Sequence, residues 1–243
     1  MYDDEDPYAI KVFNDNKNKI VQPECCLNDI LPKLNTQILI TGKSGSGKTL
    51  ACINLLTNEK LLKDHFDHIL FYSGIHPDKE LLKELKLKKE NVFTNFKEHD
   101  VSTIIDKMEK ICKKNEQDLS EVPKVLMIFD DILANNQFLK SSTLVKLATA
   151  SRHFNISTII MSQYFKKVPP IVRTNSSYFM IFPSSESELI KMAEELCPPN
   201  MSKKIFLEIA KYATKEPYSF LSINTKCNSN ISMRKGFNKI LTK

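Results

Sequence analysis

Three of the chain's five glycines fall within eight residues, at Gly42, Gly45 and Gly47 of the string Gly-Lys-Ser-Gly-Ser-Gly-Lys-Thr. A chain that uses so little glycine elsewhere has gathered it where the backbone must come close to something. The spacing is G-x-x-x-x-G-K-[ST], that of a phosphate-binding loop. An apolar run, Gln37-Ile38-Leu39-Ile40-Thr41, precedes it, and Leu50-Ala51-Cys52-Ile53-Asn54-Leu55-Leu56 follows with helical character. Strand, loop and helix in that order turn successive N–H groups toward one anion at the positive end of a helix. A flexible Gly/Ser linker is the plain alternative, but a linker is not framed by two apolar elements. On this reading Gly42, Lys43, Ser44, Gly45, Ser46, Gly47, Lys48 and Thr49 hold ATP. Lys48 supplies a full positive charge for the β- and γ-phosphates, and Thr49 offers a hydroxyl to Mg2+.

A length of 243 residues suits one α/β domain. We divide it into an arm over 1–34, with Pro7, Pro23 and Pro32 and little periodicity, a nucleotide-binding core over 35–183, and a carboxyl-terminal part over 184–243. No apolar run approaches the roughly 18 residues of a membrane span. The acidic start, MYDDEDPYAIKVF, lacks the basic head and apolar centre of a signal peptide, so a soluble intracellular protein is expected. The six cysteines, Cys25 and Cys26 adjacent among them, show no metal-ligand spacing and read as reduced thiols. A net charge of +6 is compatible with nucleic acid without requiring it. Of the 35 basic residues only Arg152, Arg173 and Arg234 are arginine. Where lysine is the default cation, an arginine marks a place that uses a planar, forked, permanently charged donor.

Continuous apolar runs at 37–41, 69–73, 125–129, 156–161 and 178–182 suit parallel strands covered on both faces. Helical spacings lie between and after them. Val101, Ile104, Ile105, Met108, Ile111 and Cys112 form one stripe, with Lys107, Lys110, Lys113 and Lys114 as its solvated face. Leu144, Leu147 and Ala148 mark a second helix. Leu189, Ile190, Ala193 and Leu196 mark a third, and Ile205, Phe206, Ile209 and Ala210 a fourth. Period-two alternation over 219–223, followed by polar residues 226–230, suggests a terminal hairpin or added edge strand. Alternating strands and helices indicate a parallel-sheet α/β fold.

The run at 125–129 ends in Asp130-Asp131. A carboxylate at the end of a central strand near a phosphate loop can hold the water shell of Mg2+, which we assign to Asp130. A second can orient and polarise an attacking water, which we assign to Asp131. Asp is also a good helix cap, and a pair capping residues from Ile132 onward is the simpler alternative. Gln163 ends the next run, where an amide can sense the γ-phosphate or the attacking water; a strand-end Gln that meets solvent is the simpler alternative. Arg152 lies before that run, at the opposite end from Gln163. It is awkwardly placed for its own subunit's nucleotide and well placed for a neighbour's, as an arginine finger acting in trans. Arg173, after Pro169-Pro170-Ile171-Val172, is the second candidate.

The loop, the Asp130-Asp131 strand end, Ser151-Arg152-His153, the run into Gln163, Pro169-Pro170 and Arg173-Thr174-Asn175 follow in that order. In this succession the chain resembles the genome-packaging ATPases of poxviruses, giant viruses and their virophages, a branch of the FtsK/HerA superfamily. The resemblance runs from about residue 30 to 182. It implies an ASCE/RecA-like P-loop NTPase fold, with a central, mostly parallel sheet of five or more strands flanked by helices. It also implies an ATP-hydrolysing motor that moves double-stranded DNA into a capsid. Such a motor is a pentameric or hexameric ring with sites completed between subunits, partnered by capsid or portal-site proteins, in the virion or host cytoplasm. By the same resemblance Gln163 is the sensor and Arg152 the finger. Many superfamily members carry Glu where this chain has Asp131.

Other classes fit less well. A GTPase would carry N-K-x-D, and the nearest string, Asn16-Lys17-Asn18-Lys19, lacks the Asp and precedes the loop. A nucleotide kinase would spend more arginine, and an ABC-type ATPase would show L-S-G-G-Q. A non-catalytic ATP-holding scaffold has no use for paired carboxylates with Gln163. A cellular or plasmid DNA pump of the same superfamily is the runner-up.

Overall fold

The structure, a computed structural model, describes residues 30–31, 35–74, 79–94, 97–116, 118–131, 136–226 and 232–242. Most of the expected arm, Cys25-Cys26 and most of the turn over 226–230 lie outside the described residues. The elements run β1 (Gln37–Thr41), α1 (Lys48–Thr57), β2 (His68–Ser73), α2 (Lys79–Glu84), β3 (Val92–Phe93), α3 (Glu98–Lys114), β4 (Val125–Asp130) and α4 (Asn136–Leu139). Then come α5 (Ser142–Ala150), β5 (Ile156–Ser162), α6 (Pro170–Asn175), β6 (Tyr178–Ile181), α7 (Glu186–Leu196), α8 (Lys203–Ala213), β7 (Leu221–Asn224), β8 (Ser232–Lys235) and β9 (Lys239–Thr242). Among the described residues nine strands join one sheet in the order β3-β2-β4-β5-β1-β6-β7-β8-β9. β3 to β6 pair in parallel, and β7, β8 and β9 add antiparallel.

The apolar runs are continuous because each strand is covered twice. In β1, Leu39 belongs to one cluster with Val101 and Ile105 of α3, Leu147 of α5 and Phe206 of α8. Its neighbours Ile38 and Ile40 belong to the other, with Cys52 and Leu55 of α1. Period-two alternation therefore sorts apolar residues onto two faces rather than into core and solvent. Truncating a central residue such as Ile159 to alanine would cost about 2–5 kcal/mol.

All five expected strands are present within a residue at either end. Val92–Phe93 is too short, and β8 and β9 too charged, to announce themselves by an apolar run. The strand expected near 219–223 is β7, which pairs antiparallel with both β6 and β8, while β9 pairs with β8 at the sheet's margin. Two helix positions differ. Ile190 and Ile205 are 44% and 48% exposed. The buried stripes run through Leu189, Met192, Ala193 and Leu196 in α7, and Phe206, Ala210 and Ala213 in α8. A residue one step off such a stripe is turned by a full 100°. The four lysines of α3 are exposed, and Lys113 pairs with Glu109 at 2.7 Å.

Candidate active site

Residues 42–49 leave the carboxyl end of β1 and enter α1. The loop is pinned from both sides: Gly42 N donates to Ser162 O at 3.2 Å, and Lys43 N to Pro183 O at 3.1 Å. A Cβ on Gly42 would collide with Cβ of Phe182, so no other residue fits there. Gly47 caps α1 in the left-handed region, at φ 102°. α5, α7 and α8 each have a serine (Ser141, Ser185, Ser202) accepting from a first-turn N–H. α1 has no such side-chain cap, so its first-turn amides are left for an anion. Ser46 Oγ, close behind Gly42, is buried without a hydrogen-bond partner. An orphaned hydroxyl and a helix entry without a side-chain cap fit a phosphate chain. Lys43, Ser44 and Gly45 are exposed at the loop's tip.

Lys48 Nζ donates to the carbonyls of Gly42 (2.8 Å) and Lys43 (2.9 Å), which holds the ammonium over the loop. Burial lowers its pKa, against the fields of Asp130 and Asp131, which raise it. β4 ends at Asp130, and Asp131 then turns the chain with φ 49°, a conformation Asp tolerates better than most residues. Asp131 N donates to Met161 O of β5 at 3.3 Å. Across that contact Gln163 Nε2 donates to Asp131 Oδ2 at 3.2 Å. Burial, and then the Asp131 charge, push the Asp130 carboxyl up to about 6, with Lys48 opposing. Lys48, Asp130, Asp131 and Gln163 therefore form one electrostatic unit at the carboxyl ends of β1, β4 and β5.

Among the described residues no three His, Cys, Asp or Glu side chains gather as a metal site. Mg2+ bound with a nucleotide asks for less, one or two protein oxygens beside phosphates and waters. The Thr49 hydroxyl and the Asp130 carboxylate are hard oxygen donors that fit this demand.

Further contacts hold the chain on either side of Gln163. Ser162 Oγ donates to Tyr164 O at 2.8 Å and accepts from Tyr164 N at 3.0 Å. Glu188 of α7 accepts from Phe165 N at 2.8 Å. Neither Glu188 nor Phe182, which stands behind the loop, is announced by a local sequence pattern.

The two candidate fingers differ. Arg152, in a 3-10 turn before β5, is exposed, and its Nε approaches His153 Nε2 at 3.4 Å. It lies at the amino ends of the strands, opposite the phosphate loop. There it lines a cleft of about 340 Å³ with Asn35, Thr149, Ser151, Ser177 and Lys226. Arg173 is engaged within its own chain. Its fork meets both carboxylate oxygens of Glu195 at 2.8 Å, and Nη1 donates to Val168 O. Its guanidinium also stands 5.2 Å from the Phe165 ring. A guanidinium so occupied is a fastener for α6 and α7.

A parallel sheet with the phosphate loop after β1, and carboxylates and an amide at neighbouring strand ends, defines a P-loop NTPase fold. Solved structures agree. The genome packaging NTPase B204 of Sulfolobus turreted icosahedral virus 2, in complex with sulfate, aligns with a TM-score of 0.55 at 17% identity, covering 86% of this chain and 100% of that one. The pCW3 conjugation coupling protein TcpA aligns with a TM-score of 0.55 at 20% identity, covering 85% and 62%. The family model of the Poxvirus A32 protein matches residues 27–232, and the chain belongs to that family. It is 27% identical over 173 residues to the DNA packaging protein OPG160 of Variola virus, a match covering 70% of this chain and 61% of that relative. It is 26% identical over 196 residues to the uncharacterized protein 075L of Invertebrate iridescent virus 6, covering 77% and 68%.

Proposed function

We propose that this chain hydrolyses ATP and uses the energy to move double-stranded DNA into a viral capsid. The observation that carries the hydrolytic half is the unit of Lys48, Asp130, Asp131 and Gln163. A protein that only holds ATP needs the loop and Lys48. It has no use for a carboxylate tied to an amide at a neighbouring strand end. The residues divide the work. The amides of 42–49 and the Lys48 ammonium bind the phosphate chain, and Thr49 and Asp130 hold Mg2+. When bound, the metal neutralises phosphate charge. Asp131 accepts a hydrogen bond from water and sets its direction, and Gln163 holds that carboxylate in place. The DNA half is supported by family membership and by the name of the Variola relative.

We infer further that 1–243 acts as one ATPase domain, since β7 to β9 continue the core's sheet. We also infer a ring of five or six copies whose sites are completed between subunits by Arg152, with capsid or portal-site proteins as partners, in the virion or host cytoplasm. Among the described residues no helix is long and apolar enough to cross a membrane.

The test is phosphate release from ATP and Mg2+ with and without duplex DNA, over a range of salt. Duplex should raise the rate, and the gain should shrink with salt as phosphate contacts are screened. Lys48→Ala should lower turnover at least ~100-fold, as expected for loss of a main charge-stabilising group. A folded Lys48→Ala with most of its turnover removes the site. A rate indifferent to duplex, single strands and RNA removes the motor.

A further inference from the structure

We propose that Tyr218 is the platform on which the nucleotide's base stacks. This rests on the phosphate-loop reading and extends it to the other end of the ligand. Tyr218 is a bulky residue held at φ 61°, a left-handed conformation that costs a non-glycine side chain of order 1 kcal/mol or more. Despite that cost, its ring is not buried: the residue is 63% exposed, more than any other large hydrophobic residue exposed among the described ones. Strain that gains no core packing points to a use.

The surroundings fix the strain in place. Glu216 accepts from Ser219 N at 3.1 Å and pairs with Lys235 of β8 at 2.7 Å. On the other side Phe220 is buried, its ring 5.0 Å from that of Phe182 and 5.1 Å from that of Phe237. Between these anchors, residue 218 has little freedom.

The ring stands at the phosphate loop. A Cβ added to Gly47 would lie 2.9 Å from Cδ1 of Tyr218 and 3.5 Å from Cε1 of Phe182. Topology brings it there. β7 runs antiparallel to β6 with Leu221 opposite Ile181, so the segment entering β7 passes the carboxyl ends of β6 and β1. The direction of the nucleotide then follows. Asp130 ends β4 with Asp131 just after it, and Gln163 follows β5, both strands on one side of β1 in the sheet order. The γ-phosphate end faces them. The nucleoside end leaves on the opposite side, over β6 and β7, where Tyr218 stands. An aromatic face over the exit stacks on any base, because every base has a π-face.

The chain contains no tryptophan, so Tyr218→Trp gives a single reporter. Its fluorescence is titrated with MgATP and with Mg-tripolyphosphate, which has the phosphates and no base. ATP should change the emission, and tripolyphosphate should compete with ATP without changing it. Tyr218→Gly removes the ring and suits φ 61°, so it should fold with unchanged or higher thermal stability. Its ATP affinity should fall roughly 5- to 100-fold, the range for loss of one stacked base, with tripolyphosphate affinity unchanged. If wild type and Tyr218→Gly bind ATP equally, the platform is wrong while the loop stands. Equal losses for ATP and tripolyphosphate would make Tyr218 a brace of the loop and overturn base stacking. If the wild-type protein binds neither ligand, the loop reading fails and the platform with it.

Discussion

At the residue scale, Asp130 is where stability and function pull apart. Its carboxyl is raised from an ordinary 3.8 to about 6, chiefly by burial. The folded state therefore holds the proton more tightly than the unfolded chain does. The stability this contributes is fully present below pH 4 and is lost as pH rises through about 6. A rise of two units corresponds to ~3 kcal/mol. Asp130→Asn should consequently be more stable than wild type at pH 7, and the advantage should vanish near pH 4. Urea unfolding without nucleotide at the two pH values measures this, and a variant weaker than wild type at pH 7 contradicts the desolvated carboxylate. The same substitution should remove Mg2+-dependent nucleotide binding. Asp131→Asn should bind normally and fail in turnover, because a water-orienting group acts mainly in the transition state. Matching defects in the two variants, read by binding and by turnover, would end that division of labour.

At the element scale, helix α7 organises a site it does not enter. Through Glu188 it holds Phe165 N, two residues past Gln163, and through Glu195 it holds Arg173 of α6. Arg173→Ala should cost about 1–3 kcal/mol, the scale of hydrogen bonds to a charged group. Its loss of activity should be recovered at lower temperature. Thermal unfolding with turnover at two temperatures tests this, and an intact melting point with dead chemistry would return Arg173 to the finger role. These ties also mark the limit of what the sequence makes legible. β1, β4 and β5 announce themselves because burial on both faces demands unbroken apolar runs. The loop announces itself because Gly42 and Gly47 sit where a Cβ would collide. Lys48, Asp130, Asp131 and Gln163 are readable because each lies directly at an element's end, where topology alone brings them together. Glu188, Phe182 and Tyr218 are not, since each reaches the site from 20 to 170 residues away through a tertiary contact. β3, β8 and β9 are hidden for another reason: at a sheet's margin the pairing is made by backbone, and side chains need not be apolar.

At the scale of the whole molecule, the sheet separates two charged ends. Lys48 and the carboxylates lie at the carboxyl ends of the strands, and Arg152 lines a polar cleft at their amino ends. Parallel strands enforce this, because Arg152 precedes β5 and Gln163 follows it, so the seven residues of that strand stand between them. An arginine so placed cannot serve its own subunit's γ-phosphate. In the ring proposed above, Arg152 would act if one subunit's cleft end met the next subunit's loop end across a head-to-tail contact. A finger reaching across such an interface contributes about 10³–10⁵ in rate. A forked guanidinium bonds two phosphate oxygens at once, whereas an ammonium acts as a point charge. Arg152→Lys should therefore fail nearly as badly as Arg152→Ala, and both should still bind ATP, since each subunit keeps its own loop. The decisive measurement mixes Arg152→Ala subunits with Lys48→Ala subunits. Each variant alone should be inactive. In the mixture, some interfaces set an intact loop against an intact arginine, and part of the activity should return. Mixed oligomers verified by mass that regain nothing, or an Arg152→Ala protein that is active alone, would remove Arg152 from the site.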